Sequence, residues 1–75
     1  MARMLKIKIV NGHTNEWIYS TNVKTSLTAS ELKQKIETKI KLNQIDCLTY
    51  NTVIIEGSLE RLNLKDNDII KYYLL

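Results

Sequence analysis

The sequence predicts an α+β domain in which a mixed sheet of four or five strands packs on a single helix. Three observations predict it. Segments near the two ends, LKIKIV and IIKYYLL, alternate their side chains with the period of two expected of half-buried strands. Between them, LTASELKQKIETKIKL places apolar residues at helical spacing behind an N-terminal capping signature. The chain is 75 residues long, with no proline, no repeat and no low-complexity linker, so these elements share one core.

Each element can be justified in order. Across residues 5–10, Leu5, Ile7 and Ile9 fall on one face and Lys6 and Lys8 on the other. Asn11-Gly12 follows, and is expected to supply the positive-φ positions of a tight hairpin. The next segment, EWIYSTNV, puts Trp17, Tyr19, Thr21 and Val23 on one parity; Trp17 and Tyr19 are expected at the core or its edge, Trp17 about half exposed. Thr28 is the expected N-cap, and Glu31 three residues on completes a capping box. Leu27 and Leu32 form the accompanying hydrophobic staple. Ala29, Leu32, Ile36 and Ile40 make one narrow apolar stripe, with Lys33, Lys35, Glu37 and Lys39 off it, so a helix is expected over residues 29–41. Lys39 and Lys41 then suit the negative end of its dipole.

Beyond the helix, NQIDCLTYNTVIIEG reads as two short strands, around residues 47–50 and 53–55, hinged at Asn51-Thr52. SLERLNLKDND reads as a loop with one helical turn, its Leu59, Leu62 and Leu64 plugging the core. In the last strand Ile70, Tyr72 and Leu74 face inward, and Ile69, Lys71, Tyr73 and Leu75 outward. The expected core is Ile7, Ile9, Leu32, Ile36, Leu48, Ile55, Leu64, Ile70 and Tyr72. The domain is expected to cover residues 4–75, with Met4 the natural start and residues 1–3 a cloning remnant.

Composition narrows the function classes. With 44% apolar and 25% charged residues the chain is ordinary globular protein. A chain this short buries only roughly 60–65% of its unfolded surface, which leaves little interior for a substrate cavity, and no enzyme is expected. No apolar run approaches the ~20 residues of a membrane span, and no signal-peptide block opens the chain. Cys47 is the only cysteine, so a reducing compartment, cytoplasm or nucleus, is expected. It reads as a small buried hydrophobe. A catalytic thiol would need a nearby histidine or cationic niche, and His13 sits in a turn. One Cys and one His cannot make a zinc site, so neither metal nor cofactor is expected. The net charge of +3 gives mild attraction to acidic partners and falls short of a nucleic-acid polycation.

In its order of elements the chain resembles ubiquitin and the β-grasp superfamily. The resemblance covers residues 4–75 and rests on a Met-started alternating strand, a turn and second strand, and the Thr-capped helix TASELKQKIETKI. It continues in LTYNTVIIE and in LERLNLKDNDIIKYYLL, which is similar to the family's turn before its last strand. There are departures. KLNQI lacks the glycine and prolines usual at the helix exit, EGSLE is a shorter loop, and STNVKTS is a longer one. The chain has two glycines, Gly12 and Gly57, and no Gly-Gly near Leu75. Conjugated members thread a terminal Gly-Gly through a narrow enzyme channel, so activation through this C-terminus is not expected.

The resemblance implies a protein-binding sheet face. The family's three aliphatic contact positions fall near Gly12 and His13, Thr49 and Tyr73, so the aliphatic centre itself is missing. The outward face instead offers Lys6, Lys8, Val10, Thr49, Lys71 and Tyr73, with His13 at its edge. The plain alternative is a solvated face whose lysines oppose aggregation. The expectation is a monomeric, non-conjugated interaction domain that binds an acidic or amphipathic protein segment, either as a free-standing adaptor or as the N-terminal module of a larger protein. Two rivals are a truncated or precursor form of a conjugatable modifier or sulfur carrier, and a small basic nucleic-acid-binding module. The capping box yields the first prediction: Thr28→Ala should destabilise the fold by ~1 kcal/mol, read as a lower melting temperature.

Overall fold

The computed structural model describes residues 4–41 and 45–75. Two expectations, the remnant at residues 1–3 and part of the helix exit KLNQI, lie outside the described residues. The elements are β1 (Met4–Asn11), β2 (Trp17–Lys24), α1 (Ala29–Ile40), β3 (Ile45–Tyr50), β4 (Val53–Ile54), a 3-10 turn (Leu59–Leu62) and β5 (Asp68–Leu74). The sheet order is β2-β1-β5-β3-β4. The β1–β5 pair is parallel and the other three pairs are antiparallel, so the sheet is mixed.

Alternation does the sorting. Leu5, Ile7 and Ile9 from β1 and Ile70 and Tyr72 from β5 point to one face, where α1 lays down Leu32 and Ile36. Ile7, Ile9, Leu32, Ile36 and Ile70 are completely buried, and all nine expected core residues lie inside. Leu59 and Leu64 seal the open end of this core, and Leu62 packs against it.

The helix starts where its sequence says it should. The Thr28 hydroxyl accepts from the Glu31 amide at 3.2 Å, and the Glu31 carboxylate accepts from the Thr28 amide at 3.2 Å. At the other end the Lys41 amide donates to the Glu37 carbonyl with Lys41 in the left-handed region. A second fastening joins the helix start to the loop before β5. The Ala29 amide donates to the Gly57 carbonyl (2.8 Å), and the Leu59 amide to the Leu27 carbonyl (2.9 Å). Gly57 has φ +73°, a backbone conformation that strains any side chain.

Both hairpins add something that alternation alone does not show. Asn51 and Thr52 have φ of 53° and 67°, the pair of left-handed residues a two-residue turn requires. The first hairpin differs from expectation. Neither Asn11 nor Gly12 has positive φ; that conformation falls on Asn15, at 61°. β1 runs on through Asn11, whose amide donates to the Glu16 carbonyl at 2.9 Å, and residues 12–16 connect it to β2. The register then breaks. Ile9 pairs with Tyr19 but Val10 pairs with Trp17, which leaves Ile18 as an extra residue in β2. A bulge of this kind switches parity. Tyr19 stays beside the core, and Trp17, about half exposed as expected (57%), lies on the outer face instead of at the core or its edge.

A second register break, between Ile45 and Cys47, leaves Asp46 unpaired. Cys47 therefore sits opposite Tyr73 and is half-buried, not the buried residue expected. Near the base of β5 the Tyr50 hydroxyl donates to Asp68 at 3.0 Å. That hydrogen bond, with burial and the negative charge behind it, holds the phenol above its usual range. Ile36 lies at the centre of the helix–sheet contact. Ile36→Ala should lower stability by about 2–5 kcal/mol through the cavity it leaves, measured by denaturant unfolding.

Candidate functional site

The face of the sheet opposite α1 carries no helix. The pairing places its side chains in rows that run across the strands. Trp17, Val10, Lys71, Thr49 and Ile54 stand opposite one another in β2, β1, β5, β3 and β4. The adjoining row is Ser20, Lys8 and Ile69, and beyond it Asn22 pairs with Lys6 and Lys24 with Met4. Among the described residues, every charged side chain that alternation brings to these rows is a lysine: Lys6, Lys8, Lys24 and Lys71.

Between β2 and β5 the face is hollowed into an open groove of about 640 Å³. Val10 lies at its base, and Trp17 and Ile69, 57% and 46% exposed, present apolar surface around it. Lys8 and Lys71 also line it, and no carboxylate does. Two of the outward residues are covered by their neighbours. Val10 does face outward, but it is only 7% exposed, with Trp17 directly beside it after the bulge. Thr49 also faces outward but is only 8% exposed, set between Lys71 and Ile54.

The remaining site residues form a second cluster. His13 and Tyr73 meet edge to face, with ring centroids 5.3 Å apart and planes at 82°. Gly12 lies under the same tyrosine. A Cβ added there would clash with three carbons of the Tyr73 ring, so the ring would have to move to admit any side chain. The Gly12 amide donates to the Tyr72 carbonyl at 2.8 Å, and the His13 amide to the Asn11 side chain at 2.8 Å, so the turn is held against β5. Glycine at position 12 thus serves close approach to Tyr73, not a left-handed backbone. Lys6 is fully outward but stands a row away from the groove, its amide bonded to Asp66. The structure therefore brings Lys8, Val10 and Lys71 together, brings His13 and Tyr73 together, and leaves Lys6 and Thr49 at the margins. Trp17 is the residue that sequence reasoning missed. The parity of β2 hides it, and only a bulge reveals it.

Among the described residues, no three His, Cys, Asp or Glu side chains converge to hold a metal, and no helix is long and apolar enough to cross a membrane. No family model and no curated protein matches the sequence. Solved structures do match. The UBL domain of yeast Ddi1 superposes with a TM-score of 0.76 at 22% identity, over 96% of this chain and 90% of that one. The ubiquitin of Caldiarchaeum subterraneum superposes at 0.78 and 22% identity, over 97% and 95%. The chain has the ubiquitin-like β-grasp fold.

Likeness at this level fixes the ubiquitin-like framework and leaves the site to be argued from its own side chains. The Gly12–Tyr73 contact is open to test. In Gly12→Ala the Tyr73 ring should swing away from His13, so the ring-current shift on the His13 ring protons should disappear from the NMR spectrum.

Proposed function

We propose that this ubiquitin-like domain works by non-covalent binding of a protein partner through the outer face of its sheet. The partner presents an acidic, amphipathic segment. The observation that carries this reading is the composition of that face. Among the described residues, the charged side chains in its pairing rows are all lysines, and Trp17, Ile69, Ile54 and Tyr73 supply apolar surface among them. A solvated face would gain nothing from an uncovered tryptophan, whereas aromatic residues ringed by charge are typical of interface hot spots. The lysines would draw an acidic segment in and make its association rate sensitive to salt. Lys8 and Lys71 carry most of that attraction in this reading, with Lys6 reinforcing it and the His13–Tyr73 pair forming one end of the contact area. A face of this size suits a modest affinity, about micromolar, typical of transient complexes.

The test is affinity capture from native lysate with the wild-type chain and with a Lys8→Glu, Lys71→Glu double variant. Proteins retained by the wild type should fall several-fold with the variant and should survive nuclease treatment. Capture unchanged by the charge reversal, or abolished by nuclease, would refute the reading.

A further inference from the structure

We infer that the groove beside Trp17 is a socket for one bulky apolar side chain, leucine or aromatic, of an acidic peptide whose carboxylates flank that side chain. The inference rests on the docking face proposed above and assigns to it a ligand class and an anchoring residue.

The geometry begins with the parallel pairing of β1 and β5. Lys8 pairs with Ile69, and Val10 with Lys71. The four side chains make a checkerboard in which one diagonal is apolar, Val10 to Ile69, and the other cationic, Lys8 to Lys71. Trp17 widens the apolar surface at the Val10 end of that diagonal, because it pairs with Val10 from the other side. An apolar side chain lying along that diagonal has an ammonium group on each side of it. The matching ligand has its carboxylates on both sides of its apolar residue, and nothing acidic lines the groove to repel them.

Two features favour a peptide over other anions. A bilayer is met by a broad apolar surface, whereas here Trp17 and Ile69 stand around one groove whose base is a valine only 7% exposed. Its volume, about 640 Å³, falls within the size range of small-ligand clefts. The placement of Trp17 also depends on the extra residue Ile18, and bulges commonly re-aim a side chain at a functional site.

The test is selection of displayed short random peptides on the wild-type chain, followed by binding measurements with the enriched sequences. Those sequences should share a leucine or aromatic residue flanked by Asp or Glu. Trp17 is the only tryptophan in the chain, so its emission should shift to the blue when a tryptophan-free peptide occupies the groove. Trp17→Ala should weaken binding about tenfold or more, with Trp17→Phe weakened less and the melting temperature little changed. No enrichment, enrichment of unrelated sequences, or full affinity in Trp17→Ala would overturn the socket. If the Lys8→Glu, Lys71→Glu variant loses the peptides while Trp17→Ala keeps them, the docking face stands and the socket falls. If both variants keep them, both readings fall. Phosphatidylserine vesicles or oligothymidylate that shift Trp17 emission where the peptides do not would overturn the assignment to a peptide.

Discussion

The parallel pairing of the first and last strands is the constraint on which the rest of the structure depends. β1 and β5 come from opposite ends of the chain, and their register places Ile9 beside Ile70 on one face and Lys8 beside Ile69 on the other. Such long-range pairing carries a loop-closure entropy that local structure does not. It is offset by burial. Ile7, Ile9 and Ile70 lose all contact with water, and the helix covers them with Leu32 and Ile36. A slip of one residue would turn these isoleucines outward and the lysines inward, so the register of the core also determines the pattern of the outer face. Core and candidate site are two sides of one hydrogen-bonded ladder.

Much of this was legible in the sequence because its cues are local. The capping box needs only Thr28 and Glu31, and the inward set of the last strand needs only alternation through Ile70 and Tyr72. The nine expected core residues are all buried for the same reason. What could not be read are the two places where an extra residue enters a strand. Ile18 and Asp46 have nothing in their side chains that marks them as unpaired; each is defined by the partner strand. Each break reverses or shifts the parity that follows. The first carries Trp17 to the outer face, and the second sets Cys47 opposite Tyr73. Asn11-Gly12 misled for a related reason. The pair looks like a two-residue turn, but β1 continues through Asn11, and the glycine is needed under the Tyr73 ring.

The candidate site was accordingly read in part. Its lysines were visible as the polar half of alternating strands, and Tyr73 as an outward aromatic. Exposure was harder to read than direction. Val10 and Thr49 point outward as expected, yet neighbouring side chains cover them, and a single strand contains no information about what stands beside it. The apolar centre lies instead at Trp17 and Ile69. The ubiquitin-like fold supplies the frame here, and the surface written on it is this chain's own.

The most direct test of the account is a set of proton–proton nuclear Overhauser contacts from the Trp17 indole. The bulge at Ile18 puts the indole ring on the face away from the helix, so contacts to the Val10 methyl groups are expected and none to Leu32 or Ile36. Contacts from the indole to the Leu32 or Ile36 methyl groups would place Trp17 in the core and remove the bulge, and the outer-face groove with it.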